Sequence, residues 1–242
     1  MSSRTAYDEV RYSNYPYAQT HPDRLATVAA MHGVSAPDPA TARVLEIGCG
    51  HEGGFVAQLG QAGYEATGVD PAAPEGPSFE RISFESFDDD GPFDAIIAGR
   101  VLHHVELLEP VLDKIARLAP LLVVEEFAWE RIDAPTQAWY ERHRRRLQAN
   151  GDDPRGPEEL DEWRARHPDL HPATVVLREL ETRFEQRWCE ERPYFYLWLK
   201  HPPTEAIEAA AIASGEIQPI GVRYVGIRRA RGPARSDPRE DV

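Results

Sequence analysis

Histidine and carboxylate pairs stand at two places in this chain where they could do chemistry. His103 and His104 lie side by side just after an apolar run, Phe93 to Gly99, and Glu125 with Glu126 close a second such run, Leu121 to Phe127. Histidine exchanges its proton near neutral pH, which suits it to general-base work, and a neighbouring carboxylate can orient or assist it. A Leu-His-His stretch is also at home where the rings only shape a binding surface, and the sequence leaves both roles open. A different kind of signal is the run Val44-Leu45-Glu46-Ile47-Gly48-Cys49-Gly50-His51-Glu52-Gly53-Gly54. An apolar stretch carrying one acid breaks into a glycine-rich turn and then an apolar-periodic segment, which predicts strand, tight turn and helix. Glycines let such a turn approach a ligand closely, and the helix start aims free N–H groups at the same spot.

Sixteen residues past Gly54, a second strand-like segment ends at Asp70, followed by Pro71. Strand, glycine turn, helix, strand, acid is the first half of a nucleotide-binding α/β unit. Read literally, Gly48, Gly50 and Gly53 match the dinucleotide fingerprint, with Asp70 placed to take a ribose, which would make the chain an NAD-dependent oxidoreductase. Glu46 argues against that ligand. A pyrophosphate has no use for a carboxylate at the strand's end, whereas a ligand carrying an ammonium and a sulfonium does.

Glu46-Ile47-Gly48-Cys49-Gly50 resembles motif I of the class I methyltransferases that use S-adenosylmethionine (SAM). The resemblance implies that Glu46 lies near the methionine end of SAM, that the turn Gly48, Cys49, Gly50 supports it, and that Asp70 with Pro71 takes the ribose hydroxyls. It also implies that Phe84, Glu85 and Ser86 face the adenine and that Gly99 ends the fourth strand beside the cofactor. His103 and His104 resemble the paired histidines of many small-molecule methyltransferases, and Glu126 matches an acid that some sugar O-methyltransferases carry after strand five. The stretch Tyr7 to Leu25 resembles the N-terminal lead of a bacterial subgroup in which a helix covers the SAM pocket. In that role Tyr17, His21 and Arg24 would meet the SAM carboxylate or the acceptor; the same stretch also reads as an aromatic packing arm. One departure stands out: Glu52 occupies the place of the usual third glycine, with Gly53 and Gly54 after it, so the loop is one residue longer.

The bulk properties set bounds. At 242 residues with 41% hydrophobic and 28% charged residues, the chain suits one large α/β domain with a small insertion. A formal charge of −14 disfavours nucleic acid as the main partner. The absence of an Asn/Asp-Pro-Pro-Tyr type stretch after the fourth strand points the same way. Cys49 and Cys189 give no framework for disulfides or zinc, and the acids Asp88 to Asp90 read as a solvated turn, so no metal is expected. Without a secretory segment or a long apolar run, a cytoplasmic protein that does not engage a membrane is expected.

The apolar runs predict seven strands alternating with helices, and the resemblance implies that they form a Rossmann-like, mostly parallel sheet with helices on both faces and an antiparallel last strand. Strands are expected at Val44–Ile47, Glu65–Asp70, Phe79–Phe87, Phe93–Gly99, Leu121–Phe127, Phe184–Glu190 and Ile220–Ile227. The organisation reads as an N-terminal lead and lid helix over 1–40, a SAM-binding core over 41–131 and 183–230, a helical cap over 132–182 between strands five and six, and a charged, disordered tail over 231–242. In the cap, Arg142, Arg144, Arg145 and Arg146 with His143 make a basic cluster, read as a solvated face. Aromatic residues such as Tyr15, Tyr17, Trp129, Trp139, Tyr140 and Tyr194 to Trp198 are candidates for the walls of an acceptor pocket, some of them simply core. The expected activity is methylation of a small molecule of the kind made in specialised metabolism, oxygen ahead of nitrogen, with a homodimer as a compatible assembly. The alternatives are a protein of the same fold that binds SAM without transferring methyl, and the oxidoreductase above.

Overall fold

The structure, a computed structural model, describes residues 38–88, 91–201 and 203–230. Tyr17, His21 and Arg24, the lid helix and the C-terminal tail lie outside the described residues. Seven strands form one sheet in the order β3-β2-β1-β4-β5-β7-β6. They are β1 (Arg43–Ile47), β2 (Glu65–Val69), β3 (Phe79–Glu80), β4 (Ala95–Gly99), β5 (Leu121–Phe127), β6 (Phe184–Arg192) and β7 (Gly221–Arg228). The first five pair in parallel, and β7 inserts antiparallel between β5 and β6. The last strand is thus the one that runs against the rest, as expected.

The apolar runs explain the centre. β4 and β5 are buried along nearly their whole length, as parallel strands covered on both faces must be. The helices are α1 (Val56–Gln61), α2 (Leu108–Leu118), α3 (Ala134–Ala149), α4 (Leu160–Arg166), α5 (Ala173–Arg183), α6 (Phe195–Leu199) and α7 (Pro203–Ala213). On one face, α2 buries Val111, Leu112, Ile115 and Leu118 against Leu45, Ile47, Ile96 and Leu122. On the other, Phe55 and Leu59 close over Val44, Ala95, Ile97 and Val123. Among the described residues no helix is long and apolar enough to cross a membrane.

Two expectations change. The strand expected over Phe79–Phe87 stops after Glu80 and gives way to a 3₁₀ turn at Phe84–Ser86. Phe84 and Phe87, three apart, both enter the core, which a turn allows and an alternating strand does not. Within the stretch read as a cap, Val176 and Leu180 of α5 join the same core as α2, so α5 also covers the sheet. The aromatic residues also resolve. Trp139, Tyr140, Tyr194, Phe195 and Trp198 are all buried in a second core with Phe127 and Trp163. They join α3, α4 and α6 to the end of β5; Trp129 is half-buried at the edge.

Candidate active site at the carboxyl ends of the strands

Ligands of an open α/β sheet sit beyond the carboxyl ends of its strands, and the expected residues converge there. Glu46 lies in β1 opposite Gly68 of β2 and Ile97 of β4, and its carboxylate is buried. Glu46 Oε2 accepts the backbone N–H of Phe55 at 2.6 Å. Gly54 adopts φ +54, and a side chain there would collide with the Glu46 carboxylate. The extra glycine after Glu52 is therefore what lets the loop fold down over the acid. Burial, opposed by that hydrogen bond and aided by Asp70, pushes the Glu46 pKa up to about 8.

Asp70, at the end of β2, is buried, and its Oδ1 accepts the N–H of Ala72 at 2.7 Å, which sets the carboxyl group's orientation. Pro71 is exposed beside it. Among the described residues, an added Cβ at Gly50 or at Gly99 would meet nothing within 4 Å, so they leave space beside the ends of both β1 and β4. A buried acid, open glycine backbone and a second buried acid at the end of the next strand suit a cationic nucleoside such as SAM. Cys49 turns its Sγ back toward β2, where a Cβ on Gly68 would lie 2.9 Å away. Only its backbone remains for a cofactor, and burial raises the thiol's pKa, leaving it inert.

Phe84 is buried, whereas Glu85 and Ser86 are exposed, so this turn offers its polar side chains and keeps its ring in the core. Lys114 of α2, a residue that the sequence did not single out, donates to the carbonyl of Phe84 at 2.7 Å and to that of Phe87.

His103 and Glu126 meet as a buried pair. Glu126 Oε1 faces His103 Nδ1, and Oε2 accepts the His103 backbone N–H at 3.2 Å. Both side chains are 2% exposed. Strand alternation divides the two acids of β5: Glu126 turns to the histidine, whereas Glu125 turns to the opposite face and pairs with Arg223 at 3.2 Å and Arg192 at 3.8 Å. His104 packs its ring 4.1 Å from that of His103. Desolvation, then the neighbouring His103 and His167, push the His104 pKa well below the usual imidazole range. Arg100, next to Gly99, is held at φ +59 with its N–H on the Glu125 carbonyl at 2.6 Å. Such a non-glycine left-handed residue marks backbone held in place by its surroundings, as is common at functional sites.

Two further histidines come from the inserted helices. The His167 ring lies 6.2 Å from that of His104 and its Nδ1 is 2.7 Å from the Trp163 carbonyl. His171 bonds the turn that carries His103. Nothing local in the sequence marks either one, because the contacts depend on how the insertion folds back.

Comparison with known proteins agrees with this fold. The family described as "Methyltransferase domain" matches residues 19–187. The chain belongs to this methyltransferase family, whose members take the methyl group from SAM. Solved structures share the fold. N-methyltransferase NodS from Bradyrhizobium japonicum WM9, in complex with S-adenosyl-L-homocysteine (SAH), is 14% identical, with a TM-score of 0.52 over 95% of this chain and 100% of that one. The 1,6-didemethyltoxoflavin-N1-methyltransferase from Burkholderia thailandensis is 15% identical, with a TM-score of 0.51 over 94% and 82% of the two chains. A SAM-dependent methyltransferase from Mesorhizobium loti is 16% identical, with a TM-score of 0.50 over 85% and 98%. Among curated sequences, the uncharacterized protein RP789 of Rickettsia prowazekii (strain Madrid E) is 39% identical over 56 residues, 23% of this chain and 10% of that protein. Its companion RP028 is 37% identical over 49 residues, so the chain spans only a tenth to a fifth of the curated relatives it matches. The dinucleotide reading of the glycine turn is set aside by the family, in keeping with the buried acid under that turn.

Proposed function

We propose that this protein transfers the methyl group of SAM to a hydroxyl of a small molecule, with His103 as the general base and Glu126 as the group that orients it. The carrying observation is the buried His103–Glu126 pair at the end of β5, within the ring of strand ends that also holds Glu46 and Asp70. When bound, SAM supplies an electrophilic methyl on a sulfonium, so the residues of the chain need only align the acceptor and take its proton. Glu126 at Nδ1 leaves Nε2 as the ring nitrogen that accepts a proton, and the carboxylate stabilises the imidazolium that results. An amine acceptor would arrive with a lone pair once neutral and has less need of such a pair, which is why oxygen is favoured. His104, with its pKa held low, stays neutral and acts as packing beside the base.

The cofactor roles follow the same reading. Glu46 faces the methionine end, the backbone of Gly48 to Gly50 and Gly99 lines the sulfur, Asp70 takes the ribose, and Glu85 with Ser86 meets the adenine. The helices α3 and α4 cap the site from the insertion. A screen of hydroxylated and amine metabolites, with homocysteine release after SAH hydrolysis as readout, tests the proposal. Turnover of a hydroxylated acceptor that His103→Ala abolishes while SAH still binds is the expected result. Full turnover by His103→Ala would sink the role given to the histidine.

A further inference from the structure

The turn Phe84–Ser86 is anchored in the core by the rings of Phe84 and Phe87, but its backbone lies outside the sheet. β3 ends at Glu80 after two residues, so no sheet pairing extends into the turn. Within the 3₁₀ segment the Phe84 carbonyl accepts the N–H of Phe87 at 3.2 Å. Lys114 adds a tie from α2. It lies at the edge of the apolar stripe of α2, one turn from Val111 and Leu118, so its stem runs along apolar surface while its ammonium reaches out. The ammonium donates to the carbonyls of Phe84 at 2.7 Å, Glu85 at 3.4 Å and Phe87. It also stands 4.7 Å from the centroid of the Phe84 ring and 5.8 Å from that of Phe87. All three donors of one charge are spent on a single turn. The carbonyls are drawn toward α2 while Glu85 and Ser86 stay exposed on the turn.

We infer that Lys114 is a positioning residue for recognition of the cofactor base: it fixes the turn Phe84–Ser86 so that the chain prefers adenine to a 6-oxopurine. This rests on the reading that the turn meets the adenine. Adenine offers an amine donor and a ring-nitrogen acceptor at N1, whereas hypoxanthine offers a carbonyl acceptor and an N1–H donor. A site tells these apart only when its own donors and acceptors are held in place, because discrimination comes from leaving a fixed group unpaired. A turn free to shift would adapt to either pattern and lose the preference.

The test is calorimetric binding of SAH and of S-inosylhomocysteine, its hypoxanthine counterpart, to the wild-type chain, Lys114→Met and Lys114→Arg. The wild type should prefer SAH. Lys114→Met should lower SAH affinity by about tenfold or more while changing S-inosylhomocysteine affinity little, so that the ratio of the two shrinks. Lys114→Arg, whose guanidinium can reach the same carbonyls, should restore most of the ratio. Because both ligands are measured on the same preparation, the ratio does not depend on the fraction of variant that folds. An unchanged ratio in Lys114→Met, or no preference in the wild type that binds SAH, overturns the inference and leaves the cofactor site standing. Failure of the wild type to bind either ligand overturns the cofactor site itself, and this inference with it.

Discussion

The backbone N–H of His171 donates to the carbonyl of His103 at 3.0 Å, and its ring Nε2 lies 3.0 Å from the carbonyl of Val105. A carbonyl only accepts, so Nε2 carries the hydrogen. The connection between α4 and α5 is thus tied to both ends of the turn that holds the proposed base. Trp129 Nε1 in turn donates to the His171 carbonyl at 3.3 Å. Placement of the inserted helices and placement of His103 are one structural problem.

Removing the side-chain half of that tie should disturb the base without touching the cofactor. His171→Ala is expected to destabilise the fold by only about 1 kcal/mol, the worth of one hydrogen bond. It should also broaden or shift the downfield Nδ1–H resonance of His103 in an NMR spectrum, with SAH affinity unchanged. His171→Gln, which keeps an N–H donor, should return that resonance. A His103 signal untouched in the alanine variant would show that the tie does not position the base.

Glu126→Gln tests the orienting acid. The amide keeps the size but removes the charge that stabilises an imidazolium, and it can present the wrong group to Nδ1. Turnover of a hydroxylated acceptor should fall by about 10²-fold or more, within the range that general-base catalysis supplies. SAH affinity measured by calorimetry should stay within about twofold, since Glu126 faces His103 and not the glycine turn. Equal losses in both quantities would mean that the acid serves the fold.

Much of this architecture is local and was therefore legible. The run at Ala95–Gly99 is apolar throughout, that at Leu121–Phe127 is broken only by Glu125 and Glu126, and Glu46 with the glycines marks the loop proposed for the cofactor. What the sequence could not show is long-range. The alternation in Phe79–Phe87 imitates a strand, and the lysine that helps hold the turn lies 30 residues from Phe84. Which of Glu125 and Glu126 serves His103 depends on strand parity, which adjacent acids leave open. Cys49 reads as part of the loop, yet its side chain turns back toward Gly68 because that glycine leaves room. His167 and His171 sit in an insertion without motif, and only its return to the sheet brings them to the site.

On the proposed placement of SAM, Glu46 should make cofactor affinity depend on pH. Burial raises its pKa from 4.5 to about 8, so without ligand it is largely protonated at pH 6 to 7. A ligand carrying positive charge favours the anion, so binding should release a proton. SAM affinity should therefore rise with pH and level off above about 8. Calorimetry at pH 7 in two buffers of different ionisation enthalpy reads the proton directly. Glu46→Gln should bind more weakly, with the release gone. Proton uptake, or an affinity flat between pH 6 and 8.5, would contradict the assigned position of Glu46.

Glu208 makes a parallel case for stability, away from the proposed chemistry. Its carboxylate, on α7 and fully buried, accepts the N–H groups of Tyr194 at 2.8 Å, Phe195 at 2.9 Å and Tyr196 at 2.8 Å. It thereby anchors the start of α6, the helix that brings Trp198 into the aromatic core against Phe127. Removing it leaves three buried donors to find other partners, so Glu208→Ala should lose about 3 kcal/mol in denaturant unfolding. Burial outweighs those bonds and raises the pKa from 4.5 to about 7. The folded state then holds the proton longer than the unfolded chain. Stability from this group is full below about pH 4.5 and declines as pH rises to about 7, by on the order of 3 kcal/mol. Glu46 contributes a slope of the same sign, so the informative quantity is the difference between wild type and Glu208→Gln. That difference should narrow steadily if the variant, which has no proton to lose, keeps its stability between pH 5 and 8 while the wild type declines. Parallel curves for the two proteins would mean that Glu208 is charged throughout and that its three N–H bonds outweigh its burial.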